Sequence, residues 1–176
     1  MNHFELFNIP ITLRPDTSQL SKQYFELQRK YHPDRYVQAS EEDQEEALQV
    51  SAQINKAFKT LKDHDETIKY VLQLKGLLEE EEKYQLSPDF LMEMMELNEL
   101  KEEGDTDSIT ATIDQLKKQI YEPVEAIITN YQEGITTEKE LLRVKEYYFK
   151  KKYLDKIWST KGGLKMRLSK ASEQLR

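Results

Sequence analysis

The sequence Tyr31-His32-Pro33-Asp34-Arg35 separates two segments that each have the periodicity of an amphipathic helix. In the segment before it, apolar residues share one helical face at Leu20, Tyr24, Leu27 and Tyr31. After it, the same kind of spacing returns at Ala47, Val50, Ile54, Phe58 and Leu61. Pro33 lacks a backbone N–H and disfavours helical geometry in the preceding residue, so the first helix should end near Tyr31 or His32. The pattern predicts a helical hairpin whose tip presents His32, Pro33 and Asp34.

Positive charge is concentrated on the first helix of this hairpin and at its tip. Lys22, Arg29 and Lys30 lie along the helix and Arg35 lies just beyond it, against one acid within that helical segment, Glu26. A charged helix face is usually only a solvated face, but beside a polar tip it would also steer an acidic partner toward that tip. The tripeptide taken alone is more often an ordinary loop, in which Pro33 ends the helix and Asp34 makes the turn.

Composition limits the classes of function. The formal net charge of −7 argues against nucleic acid as the main partner. The chain has no cysteine, which excludes disulfides and thiolate ligands for zinc or an iron–sulfur cluster. No apolar run approaches the roughly twenty residues of a membrane-spanning helix, and residues 1–7 lack the features of a signal peptide. We therefore expect a cytoplasmic protein that does not contact the membrane.

The hairpin belongs to a small N-terminal domain. Short helices are predicted on either side of it, over residues 4–8 and 68–74. The like-charge run Glu79-Glu80-Glu81-Glu82 follows Gly76 and indicates a boundary, either a linker or a highly solvated helical turn. The chain is thus divided into a first domain of residues 1–76, an acidic linker of residues 77–86 and a second domain of residues 87–176.

The second domain is predicted to be a bundle of three antiparallel helices. Ser87-Pro88-Asp89 is a helix start, with Ser87 as the cap. The periodic segments cover residues 89–103, 108–131 with a bend at Pro123, and 137–158. Short connections between them favour an up-down-up bundle, which makes the whole fold all-α. The tail from about residue 160, with Gly162-Gly163, is weakly patterned and predicts fraying or an appended helix.

The first helix of this bundle carries more apolar residues than one stripe requires. One stripe can face the core and comprises Phe90, Met94 and Leu97. A second stripe, about a hundred degrees away, runs into three acids and comprises Leu91, Met92, Met95, Glu96, Glu99 and Glu103. A small bundle seldom buries two stripes of one helix, so we expect the second stripe to be exposed and to bind a partner. The alternative is that it packs against the third helix or the first domain.

The context of the tripeptide resembles a J-domain over residues 3 to about 75. The resemblance lies in Tyr24-Phe25-Glu26-Leu27-Gln28-Arg29-Lys30-Tyr31 before the tip and in Ile54-Asn55-Lys56-Ala57-Phe58-Lys59-Thr60-Leu61 after it. J-domains dock on chaperone ATPases of the DnaK/HscA class and stimulate ATP hydrolysis. The resemblance implies a chaperone-binding site made of His32, Pro33, Asp34, Lys22, Arg29, Lys30 and Arg35.

The second domain resembles that of the HscB-type co-chaperones of iron–sulfur cluster assembly. The chain lacks the Gly/Phe-rich linker and the CxxCxGxG repeats of general-purpose DnaJ proteins. It has instead a short acidic connection, a bundle opening at Phe90-Leu91-Met92-Glu93-Met94, and an N-terminal Phe4-Glu5-Leu6-Phe7. The resemblance implies that the bundle binds an IscU-like scaffold protein through Leu91, Met92, Met95, Glu96, Glu99, Glu103 and Tyr153. The Gly162-Gly163 tail fits that family poorly.

Three other functions compete with this interpretation. The nearest is a J-domain co-chaperone for a different client protein. An enzyme is disfavoured because His3, His32 and His64 lack ligand spacing and no phosphate loop or nucleophile motif is present; we expect no catalytic residue, metal site or cofactor. A nucleic-acid-binding protein would use the aromatic-rich basic run that contains Lys145, Lys150, Lys151, Lys152, Lys156 and Lys161, which the overall acidity disfavours.

Overall fold

The computed structural model describes residues 1–104 and 106–158. Within these ranges the regular structure is helical and contains no strand, which confirms the predicted all-α fold. The chain forms two compact units. The first comprises Met1–Leu77 and Ile128–Thr137, and the second comprises, of the described residues, those from Leu78–Ile127 and Glu138–Trp158. No helix in the described part of the chain has the length and apolar character needed to cross a membrane.

The first unit contains helices α1 (His3–Leu6), α2 (Thr17–Tyr31), α3 (Glu41–Leu61) and α4 (His64–Leu74). A short 3₁₀ helix, Pro33–Tyr36, lies between α2 and α3. Side-chain oxygens accept the free N–H groups at the helix starts, as Asp16 does from Ser18 and Gln19, and Ser40 from Asp43. These local caps explain why the helices begin where they do.

The predicted hairpin of α2 and α3 is confirmed. Its core includes Leu20 from α2 and Ile54 from α3, both buried. The Tyr24 ring stacks on the Phe58 ring, with centroids 4.0 Å apart. Ala47, Ala57 and Leu61 of α3 are buried as well. The flanking segments add core side chains at Phe4, Phe7, Leu13, Ile68, Val71 and Leu72.

Residues 128–137 belong to the first unit, although the boundaries drawn from the sequence assign them to the second domain. Ile128 is fully buried, and the Tyr131 hydroxyl donates to Glu133 at 2.5 Å. Glu133 also forms an ion pair with Lys75, just after α4. Periodicity shows that a residue is apolar but not which core it joins, so the sequence could not reveal this placement.

The second unit is built from α5 (Pro88–Glu103), α6 (Thr106–Tyr121) and α8 (Glu138–Trp158). A 3₁₀ turn, Glu122–Val124, and the short helix α7 (Glu125–Thr129) follow α6. The α-helix is therefore interrupted at Pro123, where the bend was predicted. Ser87 caps α5 as predicted, and Gly104 ends it with a left-handed φ of 83°. The bundle core comprises Leu86, Phe90, Met94, Leu97, Ile109, Ile113, Leu116 and Leu154. The Gly162-Gly163 tail lies outside the described residues.

The acidic segment before α5 packs on the bundle. Leu78 is buried, and Glu82 forms an ion pair with Lys145 of α8 at 2.6 Å. The Tyr84 ring stacks on the Phe149 ring, with centroids 4.6 Å apart. Burial raises the pKa of Tyr84, and the nearby carboxylates of Glu146 and Glu82 add to the effect. Side-chain contacts, absent from a charge pattern, thus fix this segment to the second unit.

Candidate functional site

The tip of the hairpin is a turn held by its own side chains. His32 has extended backbone angles, φ −60° and ψ 131°, so it ends α2 and also starts the 3₁₀ helix. The Asp34 backbone N–H donates to His32 Nδ1 at 3.2 Å. Pro33 occupies the first turn of the 3₁₀ helix, where a missing N–H costs nothing. The Asp34 side chain is left 88% exposed, beside a half-exposed imidazole.

The basic residues predicted around the tip lie on its surface. The Arg35 guanidinium donates to the Arg29 carbonyl at 2.9 Å, and the Tyr36 hydroxyl donates to the Lys30 carbonyl at 3.2 Å. These bonds satisfy carbonyls at the end of α2. Lys22, Arg29, Lys30 and Arg35 are all exposed, and none makes an ion pair within the described ranges. Their charge is therefore available to an external partner.

A cluster of hydrogen-bonded polar side chains joins α2 to α3 behind the tip, and it was not predicted from the sequence. We call this cluster, formed by Tyr24, Gln28, Ser51 and Asn55, the polar lock. Asn55 Oδ1 accepts from the Tyr24 hydroxyl at 2.8 Å and from Gln28 Nε2 at 2.7 Å. The Ser51 hydroxyl donates to Gln28 Oε1 at 3.2 Å. The sequence signal was available, since these polar residues lie beside the apolar stripes that face each other across the hairpin. The lock holds α2 and α3 together behind the tip.

The acidic and methionine-rich face of α5 lies on the outside of the bundle. Phe90, Met94 and Leu97 are buried, as predicted for the inward stripe. Met92 and Met95 are 60% and 64% exposed. The three acids of the predicted face are exposed as well: Glu96, Glu99 and Glu103. Two methionines and three carboxylates therefore form a continuous outer surface of one helix.

Leu91 and Tyr153 lie at the edge of this surface. Leu91 departs from the expected exposure, because it is half-buried against the bundle core. One residue advances an α-helix by about 100°, so Leu91 lies between the inward side, occupied by Phe90, and the outer side, occupied by Met92. The Tyr153 ring meets the Phe90 ring edge-on, with centroids 6.2 Å apart. Both residues support the face as well as bordering it.

The structure gives little support to an enzyme or a nucleic-acid-binding function. In the described chain, no three His, Asp or Glu side chains are grouped so as to hold a metal ion. Lys145 and Lys150 of the basic run form ion pairs with glutamates at 2.6 and 2.9 Å. Tyr147 and Tyr148 are buried, so they offer no ring on which a base could stack. Lys161 lies outside the described residues.

Comparison with known proteins gives matches to two protein families in succession. Residues 2–70 match the DnaJ domain, and residues 86–160 match the HSCB C-terminal oligomerisation domain. The hairpin with its His-Pro-Asp tip and the bundle therefore define a J-domain protein with a C-terminal domain of the HSCB type.

Individual relatives agree with both matches. A co-chaperone protein HscB homolog of Vibrio cholerae serotype O1 (strain M66-2) is 44% identical over 115 residues, which are 65% of this chain and 64% of that protein. The homolog of Shewanella halifaxensis (strain HAW-EB4) is 40% identical over 151 residues, covering 83% of this chain and 80% of that protein. The chain belongs to the HscB co-chaperone family.

Solved structures of the family resemble this chain. The alignment with the chaperone HscB from Vibrio cholerae covers the full length of this chain and of that one, with a TM-score of 0.64 and 33% identity. The crystal structure of human co-chaperone protein HscB gives a TM-score of 0.75 and 26% identity, over 89% of this chain and 78% of the human one.

Proposed function

We propose that this protein is a J-domain co-chaperone for the maturation or transfer of iron–sulfur clusters. It binds an IscU-like scaffold protein, delivers it to a DnaK/HscA-class chaperone and stimulates that chaperone's ATPase. The observation that carries the proposal is the exposed Asp34 carboxylate in a self-supported turn, beside cations that make no ion pair with any other described residue. An HSCB-type domain on the same chain favours the scaffold as client.

The first unit supplies the chaperone-binding site. Long-range attraction between the four exposed cations and an acidic surface brings the chaperone to the tip. The family resemblance implies that Asp34 then engages an arginine at the junction between the chaperone's ATPase domain and its linker. Binding biases the chaperone toward hydrolysis, which is allosteric coupling between proteins and requires no chemistry on the J-domain.

The second unit supplies the client-binding site. Met92 and Met95 are flexible and polarisable, so their exposed side chains can adapt to an apolar partner surface. The carboxylates of Glu96, Glu99 and Glu103 line the same face and select a partner with complementary charge. Leu91 and Tyr153 border the face from the bundle side.

Reconstitution from purified components tests the proposal. The chaperone's ATP turnover is measured alone, with this protein, with an IscU-like scaffold and with both. We expect stimulation by the protein, further stimulation when the scaffold is present, and direct binding of protein to scaffold by calorimetry. Stimulation without scaffold binding would instead favour a J-domain co-chaperone for another client. Absence of stimulation would refute the chaperone role itself.

A further inference from the structure

The cationic face of α2 contains a phenylalanine that the core does not use. Phe25 is 63% exposed. Every other Phe, Tyr or Trp side chain in the described ranges is buried or half-buried. An exposed aromatic ring forgoes the stabilisation that burial would give it, so its position calls for a partner outside the unit.

Phe25 is presented by a rigid neighbour. Its ring meets the Tyr24 ring at 63°, with centroids 5.5 Å apart. Tyr24 in turn stacks on Phe58 and donates its hydroxyl to Asn55. A ring with two side-chain torsions on a locked helix loses little entropy when a partner covers it.

The charges around Phe25 indicate the kind of partner. Helical spacing places Lys22 three residues before Phe25 and Arg29 four residues after it, which puts all three on one face. Glu26 adjoins the same face, but the cations outnumber it. An apolar centre within a charged rim is the usual anatomy of a protein interface.

We propose that Phe25 is the apolar anchor through which α2 grips the DnaK/HscA-class chaperone. The ring enters an apolar depression whose rim is acidic, complementary to Lys22 and Arg29. This inference rests on the proposed function and adds a specific contact to it. A second copy of the chain is a poorer occupant, because two-fold pairing of this face would oppose like charges.

The anchor and the cations should affect different rate constants. Rim charges govern association and its salt dependence, whereas a buried apolar contact governs dissociation. We expect Phe25→Ala to speed dissociation by about tenfold or more, the range of an interface hot spot. The slope of the association rate against salt should stay as in wild type. Combined Lys22→Ala and Arg29→Ala should lower that slope and change dissociation less.

The experiment measures binding kinetics of the full chain on immobilised ATP-bound chaperone at several salt concentrations. The variants are Phe25→Ala and Phe25→Gln, and both replacements have a higher helix propensity than Phe, so neither should disturb α2. Leu48→Ala is the matched control, because Leu48 is an equally exposed apolar residue of α3, at 59%. Circular dichroism melting confirms that each variant is folded.

The outcomes separate this inference from the proposed function. Fast dissociation of both Phe25 variants, with Leu48→Ala like wild type, supports the anchor. Wild-type dissociation by either Phe25 variant, or an equal effect of Leu48→Ala, overturns the anchor while leaving the co-chaperone role intact. Failure of the wild-type protein to bind the chaperone overturns both. A dimer in sedimentation velocity that Phe25→Ala abolishes would assign the ring to a second copy and also overturn the proposal.

Discussion

At the tip of the hairpin, His32 holds the turn and Asp34 faces solvent. The imidazole Nδ1 accepts the Asp34 N–H, so the backbone keeps its shape without help from the Asp34 carboxylate. That carboxylate is 88% exposed and contributes no burial to the core. An exposed charged residue in a turn, which adds nothing to the core, is a candidate for binding a partner.

Replacing Asp34 by Asn should therefore separate function from stability. The shape and the backbone hydrogen bond are kept, whereas the negative charge is removed. We expect stimulation of the chaperone's ATPase to be lost, with the free energy of unfolding within about 0.5 kcal/mol of wild type. Urea denaturation and single-turnover ATP hydrolysis measure the two quantities. Undiminished stimulation by the folded variant would contradict the assignment of Asp34.

Glu82 provides a residue-scale test of how the acidic segment is held. A hydrogen bond from Lys145, and then one from the Glu79 N–H, lower the pKa of Glu82 below its ordinary value. A carboxyl whose pKa is lower in the folded state adds stability above its unfolded-state pKa, and that stability is lost as pH falls through the folded-state pKa. The contribution is thus present at neutral pH and disappears in acid.

We expect Glu82→Gln to destabilise the second unit at neutral pH and to lose that difference from wild type as the pH is lowered. Urea denaturation from about pH 7 down to about pH 3 measures the difference. Glu80→Gln is the control, since Glu80 is an exposed neighbour in the same acidic run. If the stability difference between wild type and Glu82→Gln instead grew toward low pH, the prediction that the Glu82 carboxylate stabilises the folded state through Lys145 would be wrong.

Among the helices, the boundaries set by capping residues and prolines could be predicted from the sequence. Pro33 and the Ser87-Pro88 start predicted the end of α2 and the beginning of α5. In the structure Asp16 and Ser40 cap α2 and α3 by the same local chemistry. Side-chain partners between helices were less accessible. The polar lock, the half-burial of Leu91 and the packing of Tyr84 on Phe149 depend on which surfaces meet in three dimensions.

Helix α5 offers a matched comparison between its outer and inner methionines. Met92 and Met95 are exposed, whereas Met94 between them is 1% exposed. We expect the double variant Met92→Ala, Met95→Ala to weaken scaffold binding by about 2 kcal/mol, roughly thirtyfold, through lost apolar contact. Its stability should be unchanged.

Met94→Ala should behave in the opposite way, because it creates a cavity in the bundle. A cost of about 2–5 kcal/mol in unfolding is expected, with scaffold affinity retained by the folded protein. Calorimetric titration with scaffold and urea denaturation give the two readouts for each variant. A large loss of stability in the double variant would mean that the outer methionines are part of a core after all.

At the scale of the whole molecule, the chain contributes to each unit discontinuously. The first unit takes Met1–Leu77 and then Ile128–Thr137, although the DnaJ-domain match ends at residue 70. A fragment cut from the sequence pattern at residue 76 would lack Ile128, Tyr131 and Glu133. We therefore expect such a fragment to be less stable than the first unit of the intact chain, because the ion pair to Lys75 and the apolar contacts of this segment are missing.

A pair of tyrosines distinguishes this arrangement from the simple two-domain division in the intact protein. Tyr131 is 9% exposed in the segment assigned to the first unit, and Tyr147 is 5% exposed in α8 of the second. Truncating a buried aromatic side chain costs about 3–5 kcal/mol, and hydrogen exchange reports which amides lose protection. We expect Tyr131→Ala to lower protection across α2, α3 and α4, and Tyr147→Ala to lower it across α5, α6 and α8. Loss of protection confined to α5, α6 and α8 in both variants would return residues 128–137 to the second domain, since a side chain that stabilises one core cannot be removed without loosening that core.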